Sequence, residues 1–572
     1  MSPQKFLKYF FSKLKIGLLR FLLMILFSYT IMIGNSISQI QQEWISKLNI
    51  YDGNETLVRD MTVDNYGNVY VTGSCPVSLH GKDFVTVKYN SSGVQQWVSY
   101  YNGSASLNDA ANSIDVDNKG NVFVGGSSYS ENNLSDFLTI KYNSFGEQQW
   151  VQRYDGPGNL DDGINDISID IEGDVYVTGG SWGIPGGLSG TNLDYATIKY
   201  SNNGVQQWIR RYDGKRSSWD ESFKLGLDSE GNVIVTGYSM EFSGQSDDFT
   251  TIKYNSSGAT LWVSHYDGPY HSTDHAKSLI VDNNNNVYVM GFTPTSNDHD
   301  FAIIKYSPAG DQKWSAIYNG IASGWDYPIS IADDSSGNIY VSGVSMGLGS
   351  NEDYVTVKYD SSGVYQWAAR YNNSFNGADR LEGMVTDESG NVYVTGYSLC
   401  GPSTFNYLTI KYNTFGQQQW IQQFHEKRNI AEYGRAIAID KNYNVYVSGY
   451  TFGSIPEDNI VTIKYSHHTS VNNTTTGLIK NFILHQNFPN PFNPKTIINY
   501  ELPEYPINNS VYDVNLTVYD ILGNEVTTLI NKKQNAGRYV AEFDGSQYAS
   551  GIYFYKIHAD NFFEVKLMTL LK

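Results

Sequence analysis

At 572 residues the chain exceeds one ordinary domain, and 14% aromatic content (45 tyrosines) with only 17% charged residues excludes a disordered chain and suits many short packed strands. The net charge of −19 becomes −24 from residue 39 onward, where 34 basic residues face 58 acidic ones, and so acidic a surface excludes nucleic acid as a partner. The two cysteines, Cys75 and Cys400, are too few for a disulfide scaffold and read as free thiols, with a single bridge between them as the alternative.

The N-terminus combines five basic residues (Lys5, Lys8, Lys13, Lys15, Arg20) with an apolar run, Phe21 to Gly34, and small residues at Ser36 and Ser38. This predicts a signal peptide over 1–38 cleaved after Ser38. The alternative is a retained anchor, but the run is shorter than the roughly 20 residues that span a bilayer. No other stretch is long and apolar enough, so no membrane span is expected after cleavage.

Residues 39–466 are repetitive. Lys-Tyr pairs stand at 88–89, 141–142, 199–200, 253–254, 305–306, 358–359, 411–412 and 464–465, spaced by 52 to 58 residues. A Trp column accompanies them: Trp44, Trp97, Trp150, Trp208, Trp262, Trp314, Trp367 and Trp420. A unit of this length that cannot bury its own faces must stack on its neighbours. In the second unit, four runs of β character read as strands A (Asn112 to Asp117), B (Asn121 to Gly126), C (Asp136 to Tyr142) and D (Gln148 to Tyr154). Four antiparallel strands per unit predict an all-β, eight-bladed β-propeller. The array opens on a strand D, Glu43 to Tyr51, and closes on a strand C ending at Tyr465. The N-terminal strand is therefore expected to complete the last blade, which removes the free edges of an open array.

The A–B connection is Asp-x-x-Gly-Asn, as in Asp64 to Asn68, and reads as a tight turn with Gly in the left-handed position; Asn285 and Tyr443 replace that Gly in two copies. The eight column Trp are expected to pack between blades, each burying on the order of 200 Å², rather than to form a row of ligand platforms. Lys of the Lys-Tyr pair and the acid or amide opening strand C (Asp83, Asp136, Asp194, Asp248, Asp300, Asp353, Asn406, Asn459) are expected to satisfy one another.

A further column, eight residues before the turn Asp, holds Thr56, Asp109, Asp162, Asp220, Asp274, Asp326, Asp379 and Glu432. It reads either as a rim of metal ligands, calcium being the cation that carboxylates suit, or as caps on turns. The D–A and B–C loops are long and variable and share one face, where Trp182, Trp219 and Trp325 are the Trp outside the column. His271 and His275, with His265 and His299, are the one histidine cluster; zinc is an alternative without matching ligand spacing. His275, beside Asp274, is the candidate break in the repeat.

The repeated pattern Trp, Tyr-Asp-Gly, then Ile-x-Val-Asp-x-x-Gly-Asn-Val-Tyr-Val-Thr-Gly resembles the SBBP-type bacterial β-propeller repeat. Val87 to Trp97 also resembles the tryptophan-docking motif of quinoprotein dehydrogenases, but the chain lacks their adjacent Cys pair. Residues 467–478 are a polar linker. In 479–572 strands are predicted at Thr496–Leu502, Val514–Asp520, Glu525–Ile530, Gly537–Asp544, Gly551–Ala559 and Phe562–Leu570. The motifs Phe482 to Pro503 with Pro489 and Pro491, Val518 to Gly523, and Ala549 to Tyr553 with Gly551 resemble the type A sorting domain of type IX secretion. That resemblance implies an Ig-like β-sandwich, the outer-membrane secretion machinery as partner, and export to the surface or exterior of a Gram-negative bacterium.

The expectation is therefore a monomeric, exported, non-enzymatic binding or adhesion module for an extracellular glycan or protein. A secreted hydrolase or lyase is the alternative, and a quinoprotein-like dehydrogenase a remoter one. No cofactor is certain.

Overall fold

The computed structural model describes residues 39–468 and 482–571, apart from 51–55, 79–80, 133, 184–191, 216–218, 241–245, 296–297, 323, 402–403, 427–430, 453–458, 485–486, 488–489, 491, 504–510 and 561. The signal peptide, most of the linker and Pro489 and Pro491 lie outside the described residues. Those residues hold strands and no helix, and so none long and apolar enough to cross a membrane. They fall into two compact units, one ending at Thr469 and one starting at Ser470.

The first unit is eight four-stranded antiparallel sheets. Sheet 2 is typical, with strands A Asp109–Val116, B Val122–Tyr129, C Ser135–Tyr142 and D Gln148–Tyr154 paired in that order. Strand A starts three residues before its predicted position. A bulge between Ala111 and Ser113 breaks the period-2 alternation, so the pattern reads as a strand only beyond it. Seven sheets are contiguous in the chain. The eighth takes Ala431–Ile439, Val445–Phe452 and Asn459–His468 from one end and Gln39–Asn49, with Trp44, from the other. Gln39 pairs with His468 and Asn49 with Asn459, so the strand expected to join the last unit does so, and His467 and His468 belong to the sheet rather than to the linker.

Each strand A packs on the strand A of the next sheet, and Leu57–Val63 of sheet 1 packs on Ala431–Ile439 of sheet 8. The cores lie between successive sheets. Phe123 and Phe137 of sheet 2 meet Ile164, Ile167, Val175, Val177 and Ile198 of sheet 3, and Leu48, Tyr446 and Ile460 of sheet 8 meet Val58, Val71 and Val85 of sheet 1.

The Trp column lies at these interfaces and adds a hydrogen bond. Trp150 Nε1–H donates to the Asn202 carbonyl in the C–D turn of the next sheet at 3.0 Å, and Trp44, Trp97, Trp208, Trp262, Trp314 and Trp367 do the same at 3.0–3.3 Å. The turn glycine has a positive φ and no room for a side chain: a Cβ on Gly204 would sit 2.8 Å from Trp150 Cδ2. Asn285 and Tyr443, which replace glycine in A–B turns, adopt φ of 60° and 61°, so the turn is kept.

One expectation is corrected. The Lys of the Lys-Tyr pair lies at the turn end of strand C, away from the acid that opens it, so the two do not meet. Instead Lys141 Nζ donates to the Asn202 carbonyl at 3.0 Å and lies 5.1 Å from the Phe123 ring centroid. Where the opening acids find a cation it is an arginine of strand D: Arg153 with Asp136 at 2.5 Å, Arg211 with Asp194 at 2.6 Å and Arg370 with Asp353 at 2.7 Å.

The second unit has a three-stranded sheet (Ile483–Leu484, Lys495–Leu502, Gly537–Asp544) and a four-stranded one ordered Glu525–Asn535, Val511–Asp520, Gly551–Ala559, Phe562–Leu570. Both contribute to one core, with Ile498, Tyr500 and Phe543 from the first and Leu516, Val518, Tyr555 and Met568 from the second. Gly523, at φ 83°, closes the turn from Asp520.

Candidate functional site

The acidic column opens the eight strands A on the loop side, and its members are buried. Each of its seven acids takes the N–H of the residue six positions earlier, in the D–A loop. Gly103, Gly156, Gly214, Gly268, Asn373 and Glu426 donate to Asp109, Asp162, Asp220, Asp274, Asp379 and Glu432 at 2.5–2.9 Å, and Gly320 donates to Asp326. The geometry is that of a cap, repeated in seven loops. Burial pushes Asp162 and Asp274 up to about 6 and Asp220 and Glu432 up to about 7.

One residue further along, strand A pairs with the residue after the strand-B glycine, and here the sheets differ. In sheets 1 to 3 the pairs are Leu57 with Ser74, Ala110 with Ser127 and Gly163 with Gly180. In sheets 4 to 8 they are Glu221 with Tyr238, His275 with Phe292, Tyr327 with Val344, Arg380 with Tyr397 and Tyr433 with Tyr450. Rings and charges are thus confined to one side of the unit.

These side chains touch in two runs. Across sheets 4 to 6, Tyr238 stacks on His275 at 4.0 Å, His275 lies 5.1 Å from Phe292, and Phe292 meets His299 at 5.0 Å and Tyr327 at 5.1 Å. Trp325, 62% exposed, stands 4.8 Å from His299. Lys277 Nζ lies 3.9 Å from the Phe223 centroid, and burial lowers its pKa. Across sheets 7 and 8, Tyr397 meets Phe405 and Tyr433 at 5.3 and 4.9 Å, and Tyr433 meets Tyr450 at 5.2 Å.

The charges of this sector are tied in place. Glu352 pairs with Arg380 at 2.6 Å, Glu382 with Arg435 at 2.6 Å and Asp247 with His275 Nε2 at 3.1 Å. Glu221 accepts from Asn165 at 3.0 Å and from the Tyr238 hydroxyl at 3.3 Å. Tyr238, Phe292, Tyr397 and Tyr450 are buried, His275 and Tyr433 half-buried, and Trp325, Tyr327 and Arg380 exposed, so the surface of the sector is a few rings beside oriented donors and acceptors.

Of the residues singled out from sequence, His275 and Trp325 fall in this sector. Trp182 and Trp219 pack on each other at 5.8 Å, between sheets 3 and 4, with Trp219 exposed. The four histidines do not share a site: His265 bonds Thr250, His271 bonds Asp267, His275 bonds Asp247, and His299 lies between Phe292 and Trp325. Cys75 and Cys400 are both free. Tyr238, Phe292, Tyr327, Arg380, Tyr397, Tyr433 and Tyr450 were not singled out. The signal that could have found them is the substitution of rings for Ser and Gly in one repeat column.

Residues 486–569 match the family model of the secretion system C-terminal sorting domain. A relative, the uncharacterized WD repeat-containing protein L264 of Acanthamoeba polyphaga mimivirus, is 24% identical over 488 residues; the match covers 71% of this chain but only 30% of that protein. Solved structures with some likeness include PorZ, a bacterial surface component of the type IX secretion system of Porphyromonas gingivalis (10% identity, 93% of this chain and 100% of that one, TM-score 0.16). An acylaminoacyl peptidase of Pyrococcus horikoshii (10%, 70% and 59%, TM-score 0.36) and an α-L-arabinofuranosidase of Fusarium graminearum (9%, 76% and 100%, TM-score 0.32) are also similar. Scores this low carry no argument about substrate or partner. The sorting domain itself assigns the route: the protein is exported by type IX secretion to the surface or exterior of a Gram-negative bacterium.

Proposed function

We propose that residues 39–466 form an eight-bladed β-propeller of the SBBP type that binds an extracellular glycan without chemistry. In this reading a cleaved signal peptide (1–38) precedes it, and a linker (467–478) leads to an Ig-like sorting sandwich (479–572) that engages the type IX machinery. Eight sheets of one pattern, with sheet 8 packed on sheet 1, support the ring.

The observation that carries the binding site is the one-sided replacement of Ser and Gly by rings and charges in sheets 4 to 8. A sugar offers a face of C–H groups and a rim of hydroxyls. Aromatic rings pack on the face, while oriented carboxylates and guanidinium groups bond the rim. Binding suits the paired carboxylates better than acid–base catalysis, which needs a carboxyl free to exchange its proton with substrate.

A glycan array probed with the mature full-length protein tests this reading. Trp325→Ala and Arg380→Ala alter exposed side chains and spare the core. We expect glycan signals that either variant lowers at least about tenfold, corresponding to about 1.4 kcal/mol. An array without signals, or signals indifferent to both variants, contradicts the proposal.

A further inference from the structure

Each strand A carries a one-residue bulge, and the residues set apart by the bulges form a column of their own. Three of them reach across to a neighbouring strand A. Asn112 Nδ2 donates to the Ile164 carbonyl and Asn165 Nδ2 to the Ser222 carbonyl, both at 2.9 Å, and Arg435 pairs with Glu382 at 2.6 Å.

Lys277, the bulge residue of sheet 5, does not. Its counterparts on either side are Phe223 in sheet 4 and Ile329 in sheet 6, whose side chains offer no oxygen. One step further along the same strands stand Lys224, Ser278 and Ser330, with no carboxylate among them, and Lys224 is itself paired with Asp166 at 2.8 Å. Lys277 Nζ therefore lies against rings, 3.9 Å from the Phe223 centroid and 5.8 Å from that of Phe292. Ring faces attract the charge. An ammonium also has three N–H donors, and none of them meets a hydrogen-bond acceptor or an ion-pair partner among the described residues. The side chain is half-buried; burial lowers its pKa, and the charge of Glu221 opposes that shift. Glu221 turns its carboxylate elsewhere, accepting from Asn165 and Tyr238.

The rings that hold Lys277 are those of the aromatic sector: Phe223 meets Tyr238 at 5.7 Å, and Phe292 lies 5.1 Å from His275. Arg380 and Arg435 of that sector are already matched by Glu352 and Glu382. A ligand seated there meets an ammonium whose donors are open. We propose that Lys277 takes an anionic group of the bound glycan, a uronate carboxylate or a sulfate ester, so that the ligand class is an acidic polysaccharide. This narrows the glycan reading, on which it rests. The acidic surface of the chain does not forbid it, because charges further off than about 8 Å are largely screened at physiological ionic strength.

A glycan array carrying uronate-containing and sulfated polysaccharides beside their carboxyl-reduced and desulfated forms, probed with the mature full-length protein, tests it. We expect an acidic form to bind at least about tenfold more tightly than its neutralised counterpart, and the arm in which the difference appears identifies the group as carboxylate or sulfate. Lys277→Gln should remove the difference, and Lys277→Arg should keep it. The comparison of paired glycans uses the parent protein alone, so it decides even where a variant fails to fold. Equal binding of the paired forms, or a preference for the acidic form that a folded Lys277→Gln retains, overturns the inference and leaves the glycan reading standing. An array silent throughout contradicts both.

Discussion

A Cβ on Gly204 would come within 2.8 Å of Trp150 Cδ2, so the turn of one sheet is shaped to the indole of the sheet before it. The relationship recurs between Trp44 and Gly93, Trp97 and Gly146, Trp208 and Gly258, Trp262 and Gly310, Trp314 and Gly363, and Trp367 and Gly416. It fails at Trp420. That indole faces sheet 8, whose strands C and D come from opposite ends of the chain, so no C–D turn exists to receive it. Its buried Nε1–H has no partner among the described residues.

Trp150→Phe and Trp420→Phe should therefore differ. Both lose ring area, but the first also removes one of the two donors to the Asn202 carbonyl, which keeps Lys141 Nζ, whereas the second removes an unpartnered donor. We expect Trp150→Phe to be the more destabilising by about 0.5 to 1.5 kcal/mol, the net worth of one hydrogen bond. Equal midpoints in denaturant would contradict the seam.

Gly204→Ala and Gly231→Ala separate backbone strain from contact. Both glycines have positive φ, 81° and 75°, but a Cβ on Gly231 meets nothing within 4 Å. Gly231→Ala should cost about 1 to 2 kcal/mol, the left-handed penalty alone, and Gly204→Ala clearly more. Thermal melts of the two variants decide.

Stability should fall as pH rises from about 4 to 7. Asp220 and Glu432 are held near 7, and Asp162 and Asp274 near 6, by burial, so the folded chain binds more protons than the unfolded one. Their contribution is complete below the ordinary carboxylate pKa of about 4 and is lost as pH passes the raised values. Asp220→Asn should flatten the slope. A melting temperature that climbs over this window would show the column to be ionised at little cost.

Removing residues 479–572 should leave the protein folded but trapped in the periplasm, because the sorting family model covers 486–569. Immunoblots of periplasm, surface and medium read the outcome, and unchanged export would place the signal elsewhere.

The repeat made the sheets legible. Lys-Tyr and Trp recur because every interface needs the same anchors, and the strand carrying Trp44 could be assigned to the last sheet because that unit lacked a strand D. The partners of those anchors were less legible. Lys141 and Asp136 sit at opposite ends of one strand, a separation that a column of matched charges conceals. The candidate site was legible only at His275 and Trp325. Its other members look like ordinary strand residues one at a time, since Tyr and Phe also fill the cores, and only the contrast with Ser74, Ser127 and Gly180 marks them.

The most direct test of the central claim compares the two sides of the unit. Binding of an array-selected glycan to the mature protein would be titrated with Trp325→Ala and Arg380→Ala on one side and Tyr129→Ala, on the loop side of sheet 2, on the other. The account predicts that the first two lose at least about tenfold in affinity while Tyr129→Ala binds as the parent does. Equal losses at all three, or loss at Tyr129→Ala alone, would contradict it.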